Sequence, residues 1–161
     1  MITITDLKRL LMIENELIHQ QTKDLTDAAT FIQPQPSGNC MHWVLGHLLD
    51  TQVTMLETLG GHSPIARDSL QRYTRESEPI REPEIGLFTL VDLLDGHDQV
   101  HQAVKARLSE MGEDDFNVDV PFGQKTASRG WAVFFLHFHY SYHIGQLELL
   151  RQLAGKLDKV V

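Results

Sequence analysis

Nine histidines in a chain of 161 residues are the side chains best suited to chemistry here. A neutral imidazole carries protons near neutral pH and is a common metal ligand. Two pairs, His139/His143 and His97/His101, are spaced i, i+4. On a helix that spacing puts both rings on one face, within reach of one ion. It fits equally well a pair of core histidines bonded to backbone or to each other, and two histidines with three residues between them are a weak motif alone. On a helical wheel His139 and His143 fall amid Trp131, Phe135, Leu136, Leu149, Leu150 and Leu153, where imidazoles need partners. Gln146 is beside them, able to bond a ligand ring or to tie the last helix to the first. His137 points the other way and is expected outside any site. His47 flanks the stripe Met41, Val44, Leu45, Leu48, Met55, Leu56 and Leu59, with Trp43 and Thr51 nearby and Asp50 further round. A flank position suits a metal ligand that leaves a coordination position open, and it also suits a histidine that merely edges the core. His97 and His101 share a face with Leu90, Leu94, Val104 and Leu108, so spacing does not separate this pair from His139/His143. They could supply a ligand, orient one, or fill space. His19, His42 and His62 read as surface residues.

These side chains need helices to hold them. Leu7, Leu10, Leu11, Glu14, Leu17 and Ile18 recur at three- and four-residue steps and predict a helix over about 6–29, capped by Thr3 or Thr5. A second helix is expected over about 40–59 after Ser37 or Asn39, and a third from Thr89 to about Met111. Thr89 and Asp92 fit a capping box. The fourth runs from about Ser128 to Ala154 and stops at Gly155. Clusters of proline and glycine at 33–39, 60–86 and 112–130 separate them. Strand signals are weak: only Phe116–Pro121 alternates. The expected fold class is therefore all-α, a four-helix bundle forming a single domain over residues 1–161. The stretch Gly60–Gly86 is too long for a helix hairpin, so a crossover with short helical turns is expected between helices two and three.

Composition narrows the functions. The charge is −8, from 14 Lys plus Arg against 22 Asp plus Glu, with no basic run, so neither nucleic acid nor an anionic membrane surface is an expected partner. The apolar run Trp131–Leu136 is far short of a bilayer span. The segment MITITDLKRLLMIENEL has charges within its apolar pattern and no cleavage-like site, so no signal peptide is expected. One cysteine, Cys40, cannot form an internal disulfide and suits a reducing, cytoplasmic setting. The start of a helix would lower its thiol pKa, but nothing flanking it makes a triad, and lone cysteines are most often small buried hydrophobes. Helix four also carries Val133, Tyr140 and Ile144 on a second side, read as outward. Such a helix is deeply buried or covers a partner, and a homodimer through that side is expected.

Two motifs carry a resemblance. Asn39-Cys40-Met41-His42-Trp43-Val44-Leu45-Gly46-His47 resembles the N-x-x-x-W-x-x-G-H start of helix two in the DinB-like (DinB/YfiT-type) superfamily of metal-binding four-helix bundles. His139-Tyr140-Ser141-Tyr142-His143-Ile144-Gly145-Gln146-Leu147 resembles the H-x-x-x-H-x-G-Q-[IL] signature of its last helix, and Val120-Pro121-Phe122-Gly123 with Thr126 resembles the approach to it. The resemblance implies a three-histidine metal site of His47, His139 and His143, a divalent transition metal such as zinc or nickel, and a dimer. It matches neither His97 nor His101 to a ligand position. It implies either thiol-dependent transfer using a low-molecular-weight thiol or metal-dependent hydrolysis on a small-molecule substrate, with a non-catalytic metal- or ligand-binding bundle as the alternative.

Three neutral imidazoles leave a divalent ion its full charge and an open position, which suits activation of water or of a thiol. Hydrolysis usually needs a carboxylate base nearby. The residues between the last-helix pair are Tyr140, Ser141 and Tyr142, with no HExxH pattern, which tilts the reading toward thiol transfer or no catalysis. Asp50, Glu57, Asp95 and Asp98 are the carboxylate candidates. Ligation requires neutral rings, so metal binding is expected to weaken as pH falls through about 6.5.

Overall fold

The computed structural model describes residues 3–160; residues 1–2 and 161, which the expected 1–161 domain includes, lie outside the described residues. It contains α1 (Ile4–Thr22), α2 (Met41–Thr58), α3 (Leu90–Ser109) and α4 (Arg129–Leu153), with short 3-10 turns at Ala28–Phe31, Arg67–Tyr73 and Glu113–Asn117. The chain is mostly helical, as its periodicity predicts. α1 starts at a capping box, in which Thr3 accepts from the Asp6 amide while the Asp6 carboxylate accepts from the Thr3 amide. Thr89 and Asp92 do the same for α3. The Ser128 hydroxyl accepts from the Trp131 amide at the start of α4, and Gly155 follows its end at φ 84°. α2 differs from expectation: its cap position is Cys40, and no side-chain cap bond forms among the described residues. The helix tolerates this because burial, not capping, holds it.

One expectation is corrected. A two-stranded antiparallel hairpin, β1 (Asp119–Phe122) and β2 (Lys125–Ser128), precedes α4, with Phe122 opposite Lys125. Its signal was hidden by brevity and by Pro121, which an edge strand accommodates. Gly123, at φ 59°, supplies the positive φ that a two-residue loop needs at its first central position.

α2 is the hub. It packs against both α3 and α4, and α1 packs against those same two helices. The direction of each pair follows from its hydrogen bonds. Leu45 and Gln52 meet His97, while the Leu59 carbonyl accepts from Arg107, so α2 and α3 run parallel. Glu14 meets Ser141 and Gln21 meets Glu148, so α1 and α4 run parallel too. His47 meets His139 while the Thr58 carbonyl accepts from Arg129, which makes α2 and α4 antiparallel.

The face of α4 is also corrected. Tyr140 and Val133 are each 2 % exposed and Ile144 is buried, so the residues expected to point outward form the core. Trp131, Phe134, Phe135, Phe138 and Tyr142 are instead the exposed side, with Phe138 60 % and Tyr142 61 % exposed. A helix with apolar residues nearly all round gives a wheel little contrast, and the buried face lies roughly a quarter turn from the one expected. This rotation puts His139 and His143 at the edge of the core.

His97 and His101 belong to the packing. His97 is fully buried; its Nε2–H donates to the Leu45 carbonyl at 3.1 Å and its Nδ1 accepts from the Tyr140 hydroxyl at 3.2 Å, with Gln52 Oε1 packed 3.2 Å from the same nitrogen. Burial pushes its pKa down to about 4. His42, expected at the surface, is also fully buried; it stacks on Phe31 and bonds Thr30 and the Tyr73 hydroxyl. The flank it occupies is covered by the 3-10 turns, which a wheel of α2 alone does not reveal.

The unfolded chain binds a proton at His97 near pH 6.5, whereas the folded chain binds it only near 4. Between those values the unfolded state holds more protons, so stability falls as pH falls. Urea unfolding of metal-free protein is expected to show this loss. His97→Gln should be shallower by up to one proton, about 1.4 kcal/mol per pH unit. Equal slopes in the two proteins would contradict the assignment.

Candidate metal centre

α2 and α4 cross with His47 on one and His139 and His143 on the other. One ring nitrogen from each lies within 4.8 Å of the corresponding nitrogen of the other two. His47 Nε2 and His139 Nε2 are 3.0 Å apart. The ring centroids of His139 and His143 are 4.5 Å apart, and those of His47 and His143 are 4.9 Å apart. Among the described residues this is the one group of three or more histidine, cysteine or acidic side chains gathered closely enough to hold an ion. The structure thus brings together the three histidines singled out by the two motifs, and leaves His97, His101 and His137 elsewhere.

Two of the rings are oriented from behind. His47 Nδ1–H donates to the Tyr73 carbonyl at 2.8 Å, which leaves the lone pair on Nε2, the nitrogen that faces His139. His143 Nδ1–H donates to Gln146 Oε1 at 2.8 Å, so its free lone pair is on Nε2. Gln146 therefore serves a ring rather than helix one; the links from α1 to α4 include Glu14 with Ser141 and Gln21 with Glu148. Trp43 stacks on His47 at 4.7 Å between centroids and covers one of its faces. Burial lowers the pKa of His47, and burial followed by the charges of His143 and His47 lowers that of His139 to about 4. The donor set fits a divalent transition metal: three nitrogens, two with a fixed tautomer, and no competing proton at neutral pH on His47 or His139.

Sequence reasoning missed Tyr73, which ends the Arg67–Tyr73 turn, and Arg75, which follows it. The signal for Tyr73 was the glycine at position 46. A Cβ there would lie 2.0 Å from Tyr73 Cδ1, so only glycine lets the Tyr73 ring press onto α2. The ring packed there, with its hydroxyl bonded by His42 and by the Phe88 amide, sets the carbonyl that holds His47. Arg75 lines the same cavity as the three histidines. That cavity has a volume of about 770 Å³, the size of a small-molecule site, with Trp43, Gln146, Leu149 and Leu153 also on its walls.

The expected carboxylates are occupied or distant. Arg67 bridges Asp50 and Glu57. Asp98 accepts from Asn15 and pairs with His19. Asp95 is exposed on α3 and does not line the cavity. Cys40 is buried, donates to the Ile80 carbonyl at 3.3 Å and has its thiol pKa raised by burial, against the lowering expected from the helix start. His137 sits 3.0 Å from the buried Glu14, whose proximity raises its pKa. That pair lies between α1 and α4, away from the three-histidine group.

Residues 14–147 match the family model of the DinB superfamily. No curated protein matches the chain.

Gly46→Ala should disturb this centre without touching a ligand. Overpacking against Tyr73 is expected to cost about 1–3 kcal/mol and to free His47 Nδ1–H from its carbonyl. In 15N-resolved imidazole spectra the protected His47 Nδ1–H signal should broaden or vanish while α-helical content persists. An unchanged signal would show that Tyr73 does not orient His47.

Proposed function

The chain belongs to the DinB superfamily, and we propose that it is a divalent-metal-dependent enzyme of the thiol-transfer kind. Zinc or nickel is held by His47, His139 and His143, and a low-molecular-weight thiol reacts with a small-molecule substrate. One observation carries the reading: three imidazoles converge at a cavity whose described lining contains no carboxylate. Hydrolysis calls on a general base beside the attacking water, and the carboxylates that could serve are tied to Arg67, His19 and Asn15 or lie elsewhere. Thiol transfer asks less of the surroundings, because the bound ion itself supplies the positive charge that makes a thiol acidic.

The chain's own residues do the positioning. The Tyr73 carbonyl and Gln146 fix two ring tautomers, and Trp43 shields one face of His47 from water. Leu149, Leu150 and Leu153 offer an apolar wall to the substrate body. The same reading treats residues 1–161 as a single four-helix-bundle domain in which Gly60–Gly86 is the crossover. The parallel course of α2 and α3 supports it. A homodimer in the cytoplasm completes the proposal. Its interface is the exposed aromatic row of α4, since five large apolar side chains along one helix face are costly to leave in water. No helix among the described residues is long and apolar enough to cross a membrane.

Three outcomes test this. Cysteine or dithiothreitol should raise the melting temperature of zinc- or nickel-loaded protein, serine should not, and His143→Ala should abolish the effect. Turnover of simple esters or amides without any thiol response would favour hydrolysis instead. Burial depresses the pKa of His47 and takes that of His139 down to about 4, so protons compete weakly for those two ligand nitrogens in the ordinary imidazole range. The metal-induced shift should persist at about pH 6 and fade as pH approaches 4, because protons then compete for the ligand nitrogens. A shift that survives unchanged near pH 4 would exclude histidine ligation. Light scattering should report a dimer that Phe138→Glu dissociates; a monomeric wild type would remove the interface.

A further inference from the structure

The segment from Tyr73 to Ser77 is a short strap pinned at both ends to α2. At one end, Tyr73 bonds His42 through its hydroxyl and His47 through its carbonyl. At the other, the Trp43 indole N–H donates to Ser77 Oγ at 3.0 Å, and that hydroxyl donates to the Arg72 carbonyl at 2.9 Å. Between the pins the chain makes a tight turn, with the Ser77 amide on the Thr74 carbonyl at 3.1 Å. Glu76 occupies that turn at φ 70°, a left-handed conformation that a glutamate adopts at a cost. The pins and the strained turn together hold the residue before it, Arg75, at the wall of the three-histidine cavity.

The Arg75 side chain is 88 % exposed and makes no hydrogen bond among the described residues, and the Glu76 carboxylate stands 4.0 Å away at the limit of ion pairing. The less exposed arginines are engaged: Arg67 with Asp50, Arg72 with Glu84, Arg129 with the Thr58 carbonyl, Arg151 with Asp158. Arg75 is also the one charged side chain on the described lining of a cavity that has no carboxylate, in a chain of net charge −8. A solvated cation at the rim of a carboxylate-free recess attracts anions and repels cations. A guanidinium with a free fork is built to take an oxyanion in two hydrogen bonds. Leu149, Leu150 and Leu153 line the same space.

We propose that Arg75 is the specificity-determining residue of this cavity, and that the ligand it selects is a small organic acid whose anionic group binds the guanidinium while its apolar body lies along the leucine wall. The inference deepens the functional reading above and rests on it for the site of reaction. The anion contact is a property of Arg75 and is present with or without metal.

The test is calorimetric titration with acetate, butyrate and 4-phenylbutyrate, each beside its neutral amide, into the full chain in zinc-loaded and in metal-free form. Arg75→Gln, Arg75→Lys and the control Arg81→Gln, at another exposed arginine that does not line the cavity, are run in parallel. Affinity is expected to rise along the acid series as the apolar body lengthens. Wild type should prefer 4-phenylbutyrate over its amide by up to about fivefold. Arg75→Gln should erase most of that preference at unchanged zinc content, Arg75→Lys should keep part of it, and Arg81→Gln all of it. The same pattern in metal-free protein would support the anion subsite even if zinc fails to bind, which separates this proposal from the metal reading. A preference that survives in Arg75→Gln would assign the anion to the metal and overturn the proposal. So would equal binding of acids and amides, or no binding of any probe to wild type.

Discussion

The hydrogen bond from His47 to the Tyr73 carbonyl is the contact on which the centre depends. An imidazole can aim a lone pair at a shared point only if its other nitrogen holds the proton, and that needs an acceptor behind the ring. At His47 the acceptor is a backbone carbonyl, so its position is inherited from how the chain between α2 and α3 is packed. Gly46 makes room for the Tyr73 ring, His42 and the Phe88 amide hold its hydroxyl, and Trp43 holds Ser77 and covers His47. A buried histidine, a glycine inside a helix and a tryptophan on its flank are thereby three parts of one arrangement.

The helix directions serve the same end. Antiparallel α2 and α4 let one residue of α2 meet two residues a turn apart on α4, and the parallel pairs α1/α4 and α2/α3 close the structure on the far side. His139 and His143 stand at the edge of the buried face of α4 rather than in its middle, so the site opens on a cavity instead of being sealed in the core. Burial still suffices to keep His47 and His139 neutral near neutral pH. Partial burial gives both halves of what the proposed chemistry needs: nitrogens free of protons and room for a second molecule.

Much of this was legible in the residues. The caps Thr3, Thr89 and Ser128 and the stop at Gly155 stand where local chemistry put them, because each depends only on neighbours within a few positions. Only motif resemblance singles out His47, His139 and His143, since spacing does not rank His139/His143 above His97/His101. What ranks them is tertiary: Leu45, Gln52 and Tyr140 use up His97. The errors have the same origin. His42 looked exposed because the turns that bury it are distant in sequence, and Tyr140 and Ile144 looked outward because α4 has apolar residues on nearly every side. Arg75 carried no signal at all, being one arginine in a loop until the strap is folded.

The claim beneath the account is that three imidazoles share one ion. X-ray absorption at the zinc or nickel edge of the loaded, full-length chain reads that ligand set directly. The account predicts a first shell of nitrogen and oxygen at about 2.0–2.1 Å with outer-shell scattering from three imidazole rings, falling to two in His47→Ala. A shell containing sulfur from Cys40, or three rings that persist when His47 is replaced, would contradict it.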